Sequence, residues 1–272
     1  MNPRTIGARV LLVIATMASM MAPAASASEP VRLHAAGSLR IALAEIAAAF
    51  TQSTGIAIEA KYGASGLLRD DIIGGARAEV FASANMEHPQ ALARSGISGP
   101  VVLFARNRLC ALVRSGLAAA PETLLEQMLD GGIKLATSTP KADPSGDYAF
   151  EVFRKAEALR PGSSAVLERK ALLLTGGPSS PSFGSRNAYG ALVAEGRADI
   201  FLTYCTNASV AARENPGQRV VALPAALAVG ADYGLTLMAT ASSAAYRFAL
   251  FILAQDGQRI LASHGFAAPN LE

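Results

Sequence analysis

Val31-Arg32-Leu33-His34-Ala35 alternates like a strand, Ala36-Gly37-Ser38 breaks it, and Leu39, Leu43, Ile46 and Phe50 then recur at helical spacing. The next stretch repeats the unit. Ile56-Ala57-Ile58-Glu59-Ala60 reads as a strand running into Tyr62-Gly63-Ala64-Ser65-Gly66, after which Leu67, Leu68, Ile72 and Ile73 resume the helical period. Val80-Phe81-Ala82 supplies a third strand. A strand–loop–helix unit used twice, each time with a serine at the turn, predicts α/β architecture. It places Ser38 at a helix N-cap and Ser65 at the start of a second helix.

The same alternation continues to the end of the chain. Val101 to Phe104, Leu109 to Val113, Ile133 to Thr137, Asp199 to Tyr204, Val220 to Leu223 and Tyr233 to Met238 read as strands. Helical spacing covers Glu122 to Leu129, Asp147 to Ala158 and Asn187 to Glu195, with Ala244 to His264 as a closing helix or helix pair. Ser138-Thr139-Pro140 through Pro144-Ser145-Gly146 is a polar loop, and Gly176-Gly177-Pro178-Ser179-Ser180-Pro181 a loop or linker. No repeat period appears, which excludes solenoids.

With 272 residues, 51% of them hydrophobic and 17% charged, the chain can bury a core and is not a disordered one. The net charge is +3, but residues 1–27 hold Arg4 and Arg9 and no acid, so the remainder carries only +1. That leaves no basic field for nucleic acid. Arg4 and Arg9 precede an apolar run from Val10 to Met21 and a small-residue site, Ala25-Ser26-Ala27. This order predicts a secretory signal peptide over 1–27, with the run too short for a bilayer span. The mature chain is therefore expected to be exported, which argues against chemistry that needs cytosolic ATP or NAD(P)H.

Enzyme signatures are weak or missing. Gly63-Ala64-Ser65-Gly66-Leu67 approaches a nucleophile elbow but displaces its last glycine, so an exported serine hydrolase using Ser65 is the least favoured of the readings kept. Phosphate-loop and dinucleotide fingerprints are absent. His34, His88 and His264 lack metal-ligand spacing, and Asp70-Asp71 and Glu151 read as solvated helix faces. What recurs instead is a neutral hydroxyl at a helix start beside glycine: Ser38, Ser65 and Ser145. Each alone also reads as a plain helix cap. Together, unpaired N–H groups and hydroxyls at several helix N-termini can hold a dehydrated anion without a cationic side chain.

Ala35-Ala36-Gly37-Ser38-Leu39, Tyr62-Gly63-Ala64-Ser65-Gly66 and the run Gly75 to Ala84, followed by Pro144-Ser145-Gly146, Ile200 to Tyr204 and Gly265-Phe266, resemble the periplasmic molybdate-binding proteins of ABC importers over the whole mature chain. The resemblance implies a two-lobe periplasmic binding protein of type II with a ligand cleft between α/β lobes. It divides the chain into 28–107 (first lobe), 108–231 (second lobe) and 232–272 (return to the first). It implies a non-enzymatic, monomeric periplasmic protein with no cofactor, whose partners are a membrane permease and a small oxyanion, molybdate or tungstate. Carried over by position, the ligand contacts fall on Ser38, Ser65, the backbone of Ser145, and Tyr204, with a further contact near Arg186. A hydroxyl-and-amide site of this kind offers few acceptors and would exclude phosphate, which keeps a proton at neutral pH.

Two departures from that pattern leave the ligand open. Ser185-Arg186-Asn187 brings a guanidinium where a small apolar residue is expected, which admits another oxyanion or a small organic acid gripped by Arg186, or else a surface pair between Arg186 and Glu195. Cys205-Thr206-Asn207 replaces the family's Gly-Ser-Asp. The resemblance puts Cys110 and Cys205 in second-lobe strands. Both a disulfide and two packed thiols fit an exported chain with this pair.

Overall fold

The computed structural model describes residues 29–184 and 186–269; the expected signal peptide, 1–27, lies outside them. β1 (Val31–Ala36) leads through a single 3-10 turn, Gly37–Leu39, into α1 (Arg40–Thr54). β2 (Ile58–Gly63), α2 (Ser65–Ile73), β3 (Val80–Ser83) and α3 (Glu87–Arg94) follow. Next come β4 (Val102–Val113), α4 (Leu124–Leu129), β5 (Leu135–Ser138), α5 (Pro144–Leu159), α6 (Ser163–Lys170) and β6 (Leu172–Thr175). The chain continues with α7 (Ala188–Ala194), β7 (Ile200–Tyr204), α8 (Cys205–Glu214) and β8 (Arg219–Ala222). It returns through β9 (Gly230–Leu237), α9 (Ser243–Leu253) and α10 (Gln255–Ser263).

The strands are ordered β2-β1-β3-β9-β4-β7-β5-β6, with β8 also on β4. β1 pairs in parallel with β2 and β3, and β5 in parallel with β6 and β7, as helical crossovers require. β4 belongs to both halves: Val102 to Arg108 pairs antiparallel with β9, and Leu109 to Val113 with β7 and β8. The chain thus passes between two α/β halves along β4 and returns through the segment that leads from β8 into β9.

Each half buries its own helical face. In the first, Leu43, Ile46 and Phe50 of α1 are fully buried, and Phe50 meets Phe248 and Phe251 edge-on at 5.2 and 5.6 Å. Burying a side chain of that size stabilises by about 1.5–3 kcal/mol. In the second, β7 is buried on both faces, beneath Val152, Phe153 and Ala156 of α5.

The structure corrects four expectations. Ser38 does not cap α1; it lies in the 3-10 turn, and its hydroxyl bonds Tyr233 instead. The two strands expected between Val101 and Val113 are one, because the polar run Arg106-Asn107-Arg108 still pairs with β9 where the strand crosses between halves. α5 starts three residues before Asp147, since Asp143 caps it and Pro144 takes the first helical position, where a missing N–H costs nothing. Cys205 begins α8 instead of ending a strand.

Candidate functional site

A cavity of about 750 Å³ opens between the halves, lined by Ser38, Ser65, Tyr204, Asp143 and Arg186 among others. The turns at its edge come from the carboxyl ends of parallel strands, where open α/β sheets carry their ligands.

From the first half, Ser65 is buried and its Oγ accepts the Ala84 backbone N–H at 3.1 Å, which leaves its own proton free to donate. Ser38 Oγ lies 3.0 Å from the Tyr233 hydroxyl, which Asn107 Nδ2 also approaches at 3.4 Å. From the second half, Tyr204 ends β7, and its hydroxyl donates to the Ala84 carbonyl at 3.4 Å. Ala84 is therefore held by its N–H from the first half and by its carbonyl from the second. Burial pushes the Tyr204 phenol well above its usual range, so it stays a proton donor. A second contact between the halves is shorter: Gly66 N–H donates to the Ala142 carbonyl at 2.9 Å.

Ser145 is placed differently. It is fully buried and does not line the cavity; its backbone N–H donates to Asp143 Oδ1 at 3.0 Å, and its Oγ has no partner among the described residues. Asp143 does line the cavity. Its Oδ2 presses on Gly176, where an added Cβ would lie 2.6 Å away; that glycine also has φ +76°, so only glycine fits there. Burial lifts the Asp143 carboxyl to about 6, an effect opposed by the Ser145 N–H and the Ser138 hydroxyl and reinforced by Asp147. The sequence reading missed this residue. Its signal was Asp143-Pro144, a capping acid followed by a first-turn proline.

Arg186 is largely exposed, with its side chain 62% accessible, 3.8 Å from Glu195 and stacked on the Phe183 ring. Arg40 and Arg213 also line the cavity, and among the described residues neither has a carboxylate within 4 Å. This rim favours an anionic ligand by long-range attraction. Next to Tyr204 in the chain, Cys205 forms a disulfide with Cys110 across a sequence separation of 95, with Cα atoms 4.9 Å apart.

Chemistry on a substrate is not what this arrangement serves. Among the described residues, the hydrogen-bond partner of Ser65 Oγ is a backbone amide, not a base, so the hydrolase reading fails on geometry. Asp70 and Asp71 are held by Arg69 and Lys61, both at 2.6 Å, as solvated helix faces are. The described residues contain no group of three or more His, Cys, Asp or Glu poised around a metal ion, and no helix long and apolar enough to cross a membrane.

Known structures share this architecture. The periplasmic molybdate-binding protein of Azotobacter vinelandii superposes with a TM-score of 0.71 at 21% identity, covering 88% of this chain and 100% of that one. The sulfate-binding protein SubI of Mycobacterium tuberculosis gives 0.74 at 18% identity, covering 89% and 88%. The fold is thus the mixed α/β fold of type II periplasmic binding proteins. An uncharacterized protein of Pasteurella multocida (strain Pm70) is 33% identical over 241 residues, 88% of this chain and 99% of that relative. Two halves joined by crossing strands with a polar cavity between them agree with the sequence profile that matches residues 31–267, and by that match the chain belongs to the non-enzymatic family of bacterial extracellular solute-binding proteins.

Proposed function

We propose that the protein captures a tetrahedral oxyanion between two lobes, 28–107 with 232–272 and 108–231, and delivers it to the membrane permease of an ABC importer. The observation that carries this reading is the cavity's donor set. The Ser65 hydroxyl accepts from Ala84 and keeps its proton for a ligand, beside Ser38 and the un-ionised Tyr204, under the cationic rim of Arg40, Arg186 and Arg213. Hydroxyls and amides replace the anion's water shell, and hinge closure across Gly66 and Ala142 holds it. Ser38, Ser65 and Tyr204 act as direct contacts with Arg186 at the rim, while the Ser145 amide, engaged by Asp143 Oδ1, would have to leave that bond to reach the anion. Residues 1–27 export the chain, which works as a periplasmic monomer without a resident cofactor. Sequence resemblance supports molybdate or tungstate as the first ligands to try.

Thermal melts of the exported protein with molybdate, tungstate, sulfate and phosphate test this reading. A ligand at a hundredfold excess over its Kd adds about 2.7 kcal/mol of stability. Melting points unmoved by all four anions would end the oxyanion reading.

A further inference from the structure

The anion cavity contains a carboxyl that a cage for a bare dianion does not need. Asp143 follows Ala142, whose carbonyl takes the Gly66 N–H, so it stands across the cleft from Ser65. Its Oδ1 holds the Ser145 N–H, the amide that would otherwise be offered to an anion. Around it stand Ser138 of β5, Asp147 of α5, Gly176 beyond β6, and the phenols of Tyr189 on α7 and Tyr204 on β7. The three cavity arginines are rim residues, and Arg186, the one with an ion-pair partner, turns to Glu195. The other acid in the lining, Glu214, accepts the Asn187 N–H through Oε2. A fully deprotonated oxyanion in this space faces a carboxylate across low-dielectric surroundings, and the repulsion is strong. A proton between the two oxygens turns it into a short, charge-assisted O–H···O bond.

Resting on the oxyanion reading of the cleft, we infer that Asp143 is the specificity-determining acceptor of the site, and that the protein selects a tetrahedral oxyanion retaining an acidic proton at neutral pH, the class of phosphate, arsenate and phosphonates, over molybdate, tungstate and sulfate. The ligand supplies the proton, its oxygen donates to Asp143, and Ser38 and Ser65 donate to the remaining oxygens, joined by Tyr204 when its hydroxyl turns from the Ala84 carbonyl to the anion. This reverses the expectation that the site lacks acceptors and excludes phosphate.

Calorimetric titration near pH 8 separates the cases, because inorganic phosphate, sulfate and molybdate are then all dianions and only phosphate carries a proton. Asp143→Asn is the matched variant: its side-chain carbonyl still caps α5, so the fold is kept. The wild type is expected to bind phosphate at least about tenfold more tightly than sulfate or molybdate, a preference the variant reverses. A wild type that prefers molybdate or sulfate overturns the inference, as does a variant that weakens all three anions in parallel, which is what a merely structural cap would do. If neither protein binds any of the three, the oxyanion reading itself has failed.

Discussion

Ala64-Ser65-Gly66 and Pro144-Ser145-Gly146 each put a serine and a glycine at the head of a helix, but α2 has no side-chain cap while Asp143 caps α5. At the first turn the Ser65 hydroxyl points its chemistry at the cavity and Gly66 donates across the cleft. At the second the Ser145 amide is satisfied within its own half, and the group that reaches the cavity is an acid. Similar sequence at two helix starts therefore yields a donor wall and an acceptor wall. The residue before the motif decides which one forms.

Covalent bracing also divides the halves, and removing it is the largest change we expect. The Cys110–Cys205 bridge ties β4 to the head of α8 next to Tyr204. In the chain-entropy model, a closed loop of this length contributes on the order of 4–5 kcal/mol. Reduction should lower Tm by on the order of 10 °C and weaken oxyanion affinity through Tyr204. Melts with and without reductant, read beside alkylation of the unreduced, denatured protein, check it. Two free thiols there would refute the bridge.

The two glycines separate closure from packing. A Cβ on Gly66 would lie 2.7 Å from the Ala142 carbonyl oxygen, on the far side of the cleft. One on Gly146 would lie 2.6 Å from the Pro140 nitrogen, inside its own half. Gly66→Ala should thus cost about a hundredfold or more in affinity with a small change in Tm. Gly146→Ala should cost roughly 1–3 kcal/mol of stability by overpacking. Equal effects of the two variants on Tm would dissolve the distinction.

How much of this was legible follows from where the signals are strong. β1, β3 and β7 announce themselves because burial selects apolar runs, and α1 because Leu43, Ile46 and Phe50 share one buried face. α8 did not: Cys205-Thr206-Asn207-Ala208-Ser209 carries small and polar residues, and its buried positions are Thr206, Ala208 and Ala211, which make no stripe of large side chains. α3 hid behind Pro89, which reads as a breaker yet sits in the first turn, where proline is tolerated. β6, an edge strand with Leu172 and Leu173 exposed, shows no alternation. The cavity serines were legible as helix starts. Asp143 was not seen as a site residue, because its place opposite Ser65 arises from the packing of Ala142 on Gly66, which local sequence does not encode.

The halves also titrate with opposite sign. Burial lifts the Asp143 carboxyl to about 6, so between its unfolded value and 6 the folded state holds the extra proton and stability rises as pH falls. Burial, helped by the Arg69 guanidinium 3.0 Å from its Nδ1, lowers His88 of α3 to about 4, so over the same interval the unfolded state takes the proton and stability is lost as pH falls. The two contributions offset each other in the wild type. Asp143→Asn should therefore show a steeper loss of Tm from pH 7 to 4.5, and His88→Gln a shallower one. Parallel profiles would contradict these assignments.

On the donor wall, Ser38→Ala and Ser65→Ala each delete a hydroxyl aimed at a charged acceptor, at a cost of roughly 1.5–3 kcal/mol of affinity. Stability should fall less for Ser38 than for Ser65, whose Oγ also satisfies the Ala84 amide. Calorimetry on the single and double variants decides it, and unchanged affinity in the double variant would remove both serines from the site.

The smallest effect belongs to Arg186, the one assigned contact that stands at the rim and not on either wall. Its guanidinium is exposed, rests on Phe183 and lies 3.8 Å from Glu195, a separation at which a solvated pair contributes about 0–1 kcal/mol. A group so placed acts on an approaching anion through its field more than through a fixed bond. Arg186→Ala should then slow association at low salt, lose that difference as salt screens the charge, and leave equilibrium affinity within about 1 kcal/mol. Stopped-flow binding at low and physiological ionic strength measures both quantities. A salt-independent loss larger than tenfold would move Arg186 from the rim into direct contact with the ligand, and would make a larger, more acidic solute than a single oxyanion the better fit to this cleft.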